Sequence, residues 1–167
     1  MMDEMNHIPL DVVGIRLTGP EDSPVLLLRE RDGDRVLPIW IASVDAAAIA
    51  IAMEGHPELD RPLTHDLLAT LVSAVADQEG KGGVDITELE DGIYRAVLTA
   101  GAHTYDVRPS DGVAVALRLG WPITCRRQLL DQVGVPVEES SGDEVERFRA
   151  FLESVNADDF EEEPPAP

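Results

Sequence analysis

The chain has 167 residues, 44% hydrophobic but only 4% aromatic, with 33 acidic against 13 basic residues and a net charge of −20. That is enough apolar chain for one domain with a core of Val, Ile, Leu and Ala, so a wholly disordered chain is excluded. The charge repels nucleic acid at long range, one cysteine excludes an internal disulfide, and no apolar run approaches the ~20 residues of a membrane span. The first residues, MMDEMNHIPLDVVG, carry acids where a signal peptide needs bases. A soluble cytoplasmic protein with no membrane contact is therefore expected.

In chain order, residues 8–17 alternate loosely and read as a strand. A turn-rich stretch follows, then a buried strand over Val25–Arg29. Asp32-Gly33 is a hairpin signal, and Val36–Ile41 is the returning strand. Pro38 inside it suggests an edge or a bulge. Ser43 is placed as the cap of an alanine-rich helix ended by Glu54-Gly55. Thr64 caps a second helix carrying Leu67, Leu68, Leu71, Val72 and Val75 on one stripe, stopped by Gly80–Gly83. Residues 84–107 read as a three-strand meander with a hairpin at Asp91-Gly92. Ser110 caps a third helix through Leu119. Pro122–Cys125 is a short strand, and residues 126–133 form a small helix. The organisation expected is one compact α+β domain over residues 1–135, a linker with an amphipathic helix over 136–157, and an acidic disordered tail over 158–167. Residues 138–167 hold 11 acids and 2 arginines, so the rest of the chain is acidic too.

Chemistry concentrates in two echoing stretches, Arg61-Pro62-Leu63-Thr64-His65-Asp66 and Arg108-Pro109-Ser110-Asp111. Each has an Arg-Pro lead, a hydroxyl residue suited to capping, and an acid in the first helical turn, where free amides and the macrodipole favour negative charge. Phosphate loops, dinucleotide fingerprints, paired zinc cysteines and the nucleophile elbow are all absent. The remaining set is Glu54, His65, Asp66, Asp106 and Asp111 with Arg61 and Arg108. Carboxylates hold Mg²⁺ or Mn²⁺, histidine serves as a general base, and arginine clamps phosphate. The plainer alternative stays open: first-turn acids as simple caps, and Arg61 with Asp111, or Arg108 with Asp66, as ordinary salt bridges. His56 and His103 fall in turns and carry little signal.

Leu37-Pro38-Ile39-Trp40-Ile41, the alanine-rich helix ending Glu54-Gly55, Arg61–Leu67, Asp91-Gly92 and Arg108–Asp111 occur in an order that resembles the bifunctional nuclease (BFN) domain family. The similarity spans roughly Leu10 to Val135. It implies a compact α+β fold with a curved, mostly antiparallel sheet flanked by helices, self-association, and a nuclease acting on DNA and RNA. The chain departs from the usual Arg-Pro-Ser-Asp-Ala-Ile pattern at Gly112, where Ala is commoner; Gly there is read as room for a ligand to approach the backbone.

Two functions from different classes follow. In the first, a nuclease, Asp66, Asp111 and Glu54 hold a divalent metal. His65 activates or orients water, with His65, Asp66 and Asp111 as the catalytic group. Arg61, Arg108, Ser110 and Thr64 hold the substrate phosphate. In the second, a non-catalytic oligomeric module binds a small anion or a protein partner. Exposed arginines favour the first; arginines buried in ion pairs with the aspartates favour the second. A homodimer is expected, with the Val36–Ile41 edge and Trp40 as its motivation.

Overall fold

The computed structural model describes residues 6–18, 22–55, 60–76 and 81–137. The chain divides into two units, Met1–Pro136 and Val137–Pro167. Of the second only Val137 is described, so the expected amphipathic helix and acidic tail lie outside the described residues. The first unit runs β1 (His7–Thr18), β2 (Ser23–Glu30), β3 (Arg35–Trp40), α1 (Ser43–Met53), α2 (Thr64–Val75), β4 (Gly82–Glu90), β5 (Ile93–Ala100), β6 (His103–Val107), α3 (Pro109–Leu119), β7 (Ile123–Arg126), α4 (Arg127–Val133) and β8 (Val135–Pro136).

The strands largely follow the period of two, although β2 also buries Pro24 and Val25 beside Leu26. Ile8 and Leu10 on β1, Leu26 and Leu28 on β2, Leu37 and Ile39 on β3, Val84 and Ile86 on β4, and Ala96, Leu98 and Ala100 on β5 are all buried. The β4–β5 hairpin turns at Asp91 and Gly92, with φ of 51° and 79°; positive φ at both positions is what a tight two-residue hairpin needs, and Gly meets it without strain.

All eight strands join one open sheet in the order β6-β5-β4-β7-β1-β2-β3-β8. Every pairing is antiparallel except β4 with β7. The fold is therefore the α+β class with a mostly antiparallel sheet that the residues suggested. Bulges at Val12/Gly14 and Ile86/Glu88 bend the strands. The sheet curls strongly, because the Tyr94 hydroxyl on β5 donates to the Pro38 carbonyl on β3 at 3.1 Å, although β4, β7, β1 and β2 lie between them in the order.

The helices fill the curl. The central helix α3 packs against α1 on one side and α2 on the other, and against β4 and β5. Its Val113, Ala114, Val115 and Ala116 are all buried. The first helix rests on β1 and β2, α2 on β5, and α4 on β3, β4 and β7.

Several local expectations are corrected. Ser43, Thr64 and Ser110 are not caps: the N-caps are Ala42, Leu63 and Arg108, none with a side-chain capping bond. For α2 the Asp66 carboxylate replaces the cap by accepting the Leu63 amide at 2.8 Å. For α3, Pro109 takes the first helical position, which its fixed φ suits. Gly82 and Gly83 open β4 rather than ending α2. Val135–Pro136, at the expected boundary between domain and linker, adds a short strand beside Arg35 and Val36. Gly112 serves packing, not ligand access: a Cβ there would meet a Val84 methyl at 2.9 Å and a Val107 methyl at 3.3 Å, so glycine lets α3 settle onto the sheet.

Candidate functional site at three helix starts

The N-terminal turns of α1, α2 and α3 converge, and side chains from all three interlock. Asp45, in the first turn of α1, is 4% exposed. Arg108 donates from Nη1 and Nη2 to the two Asp45 carboxylate oxygens at 3.1 and 3.2 Å. The same guanidinium donates from Nε and Nη2 to Asp111 at 2.7 and 2.9 Å. The Ser110 hydroxyl donates to Asp45 at 3.2 Å, and His65 Nε2 stands 3.0 Å from Asp111 Oδ1. One arginine thus clamps two carboxylates bidentately, and the histidine of the first Arg-Pro motif meets the aspartate of the second.

Burial pushes the Asp111 carboxyl up, but hydrogen bonds from Arg108 and His65 outweigh it and leave its pKa lowered. Arg108 is raised in turn, chiefly by its bonds to Asp111. The two carboxylates and one guanidinium sum to −1, and the first turns of α1 and α3 add partial positive charge where that excess sits. An ionised Asp111 can only accept in this contact, which requires the proton on His65 Nε2.

A second arm locks the helices deeper in. Arg118, with a side chain 3% exposed, donates from Nε to Asp66 at 2.7 Å and from Nη1 to the carbonyls of Ala48 and Ala114 at 3.1 and 2.9 Å. It ties α1, α2 and α3 through one guanidinium.

Of the residues named from the sequence, the structure unites His65, Asp111, Arg108 and Ser110. Asp66 faces Arg118 instead of Asp111. Thr64 and Arg61 are exposed at the mouth of α2. Glu54 is exposed at the far end of α1, about 13 Å along the helix from Asp45 at ~1.5 Å per residue. Asp106 is exposed on β6. His7 instead approaches Asp85 at 3.2 Å, His103 stacks near Tyr105, and His56 lies outside the described residues. Among the described residues, no three of His, Cys, Asp and Glu stand close enough to hold a metal ion together. The nearby carboxylates Asp45, Asp66 and Asp111 are each taken by an arginine, so as arranged they do not fit a resident divalent cation. The arginines divide the two readings: Arg108 is ion-paired with both aspartates yet 63% exposed, and Arg61 is exposed.

Two residues escaped the sequence reading. Asp45 was given no role, although it too is a first-turn acid, two residues after Ser43. Arg118 sits between Leu117 and Leu119 in the otherwise apolar later turns of α3, and a charge flanked by leucines is the signal of a buried pair.

Comparison with known proteins agrees with this architecture. Residues 26–138 match the bifunctional nuclease domain. Two uncharacterized proteins of Mycobacterium tuberculosis, from strains CDC 1551 / Oshkosh and ATCC 25618 / H37Rv, are each 45% identical to this chain over 159 residues, covering 89% of it and 95% of the relative. Both Arg-Pro motifs and the three converging helix starts fall within residues 26–138, and the chain belongs to the bifunctional nuclease domain family.

Proposed function

We propose that the chain hydrolyses phosphodiester bonds in nucleic acid at the junction of α2 and α3. The observation that carries the reading is the 3.0 Å contact between His65 and Asp111, which joins the two Arg-Pro motifs into one polar site beside exposed arginines. Asp111 holds His65 in the tautomer with Nδ1 free. Nδ1 takes a proton as water attacks phosphorus; the new P–O bond forms, the bond to the leaving oxygen breaks, and that oxygen takes a proton from solvent. Arg61 and the exposed side of Arg108 hold the phosphate, which is also how an acidic chain tolerates a polyanion locally. Mg²⁺ or Mn²⁺, which prefer oxygen ligands, would enter with the substrate phosphates and offset their charge.

The test is cleavage of single- and double-stranded DNA and RNA by highly purified protein in Mg²⁺, Mn²⁺ or EDTA. His65→Ala is expected to lose roughly 100-fold or more, the least that general acid–base catalysis is worth. Asp111→Asn should lose a comparable factor by freeing the imidazole. Wild-type rates from both variants would sink the site. Asp66→Asn is a poorer probe, because it also breaks the Arg118 pair. Arg61→Ala should weaken binding and reduce its salt slope by about 1.

A second reading rests on a different observation: Arg108 and Arg118 close ion pairs that knit the helices together, as a purely structural network would. The domain would then be a binding module for a small anion or a protein. Absence of turnover in wild type, together with phosphate binding lost in Arg61→Ala, would favour it.

A further inference from the structure

The chain has two Trp, two Tyr and three Phe, and four of these seven aromatics lie among the described residues. Tyr94 and Trp121 are half-buried and packed against the core. Trp40 is exposed, but by alternation with the buried Leu37 and Ile39 it falls on the sheet face away from the helices. Tyr105, 42% exposed, stands opposite the buried Leu98, and the exposed His103 stands opposite the buried Ala100, so both project on the helix side. They are exposed there because β6 is the end strand of the sheet. Their rings lie 25° from parallel with centroids 6.5 Å apart. That is the wide end of the range for an aromatic pair, so the rings keep stacking surface to offer.

This face of β6 leads straight to the site. Its next residue, Val107, borders α3, with a methyl 3.3 Å from where a Cβ on Gly112 would sit. Arg108 follows, three residues and about 10 Å of extended chain beyond Tyr105. The helix that carries His65, α2, rests on β5, the strand beside β6. Asp106, the acid between Tyr105 and Val107, falls on the opposite face by the same alternation.

We infer that the substrate is single-stranded nucleic acid, with bases stacked on Tyr105 and His103 and a phosphate at Arg108 and Arg61; this rests on the hydrolysis proposed above. A chain of net charge −20 does not gather a polyanion through cations. Affinity must come from a contact that charge does not govern. Base–aromatic stacking is such a contact, worth roughly five- to a hundredfold in affinity for each base. A duplex keeps its base faces inside its own stack and presents mainly phosphates, the part this chain repels. An unpaired strand presents the faces and can splay its bases onto aromatic side chains. Every base has a π face, so DNA and RNA strands both qualify and sequence preference is slight.

The experiment separates binding from cleavage. Fluorescence anisotropy of the full chain, in EDTA and in Ca²⁺, follows short labelled DNA and RNA strands, blunt duplexes of the same sequences, and an abasic strand of equal length. The unpaired strands are expected to bind about tenfold or more tighter than the duplexes. The abasic strand should fall to the duplex level although it carries the same phosphates. Tyr105→Ala should cost about tenfold in single-strand affinity and leave the salt slope unchanged, whereas Tyr105→Phe, which keeps the ring, should bind like wild type. Arg61→Ala should do the reverse and lower the slope by about 1. Trp40→Ala, on the opposite face, should change nothing. Binding to no strand, equal affinity for duplex and single strand, an abasic strand that binds like an ordinary one, or a folded Tyr105→Ala that binds like wild type would each overturn the inference. The abasic strand needs no variant, so it decides even where Tyr105→Ala fails to fold by circular dichroism. His65-dependent cleavage of duplex and single strand alike would remove the stacking platform and keep the hydrolysis. Single-strand binding that depends on Tyr105, with no turnover in Mg²⁺ or Mn²⁺, would remove the hydrolysis and keep the platform.

Discussion

At the scale of single residues, the site is held by arginines that each satisfy more than one acceptor. Arg118 is the more committed, since it is buried and carries the Asp66 carboxylate and two main-chain carbonyls. Removing one member of a buried pair leaves the other charge without compensation, so Arg118→Ala is expected to cost about 3 kcal/mol in urea unfolding. Arg118→Met, combined with Asp66→Asn so that no lone charge remains, should cost distinctly less. Asp111 gives a pH signature. Its carboxyl is lowered below the ordinary 3.8, so its contribution is fully present above about pH 4 and is lost as pH falls through the lower folded value. The stability gap between wild type and Asp111→Asn should therefore be constant at neutral pH and close on acidification below pH 4. A gap that persists to pH 2 would mean that the Arg108 and His65 bonds do not act on the ionised form.

At the scale of elements, Gly112 decides how α3 meets the sheet. Glycine to alanine inside a helix gains about 1 kcal/mol in propensity. Here the added Cβ would sit 2.9 Å from a methyl of Val84, which is 2% exposed and branched at Cβ. Overpacking of this kind costs about 1–3 kcal/mol, so the clash wins and Gly112→Ala should lower the melting temperature. Val84→Ala in the same chain makes room, and the pair should be less destabilising than the two changes summed. The same helix shows what sequence can and cannot convey. Its end at Leu119 was legible, as were all seven longer strands, because period-two burial, the Asp-Gly turn and Gly and Pro at boundaries act over a few residues. The caps were displaced because Pro109 and Asp66 compete with the hydroxyl residues for the same few positions, and local rules do not rank them. That His65 and Asp111 belong to one catalytic group was part of the nuclease reading. That Arg108 would share Asp45 was not, since 63 residues separate them and only the packing of α1 beside α3 brings them together.

At the scale of the whole molecule, charge dominates. The body over residues 1–137 carries 22 acids and 11 bases, so self-repulsion opposes compaction throughout. The exposed ion pairs, such as Arg31 with Asp11, are each worth little and weaken as salt screens them. Relief of the net repulsion should outweigh that loss, and the melting temperature is expected to rise from 10 mM to 300 mM NaCl; a fall would mean that ion pairs, not net charge, govern stability. The strand order carries a consequence for synthesis. β1–β3 and β4–β6 are each made of neighbouring strands, but they become one sheet only through β7, the last long strand from the ribosome, slotted between β4 and β1. A nascent chain that has not yet released Ile123–Arg126 holds two separate antiparallel ribbons, with β1 and β4 as open edges and with Ile8, Leu10, Val84 and Ile86 among the side chains still waiting for cover. Arrest or premature termination before that strand should leave a chaperone client and protease substrate, whereas a stop just after Pro136 releases a sheet with both edges in place.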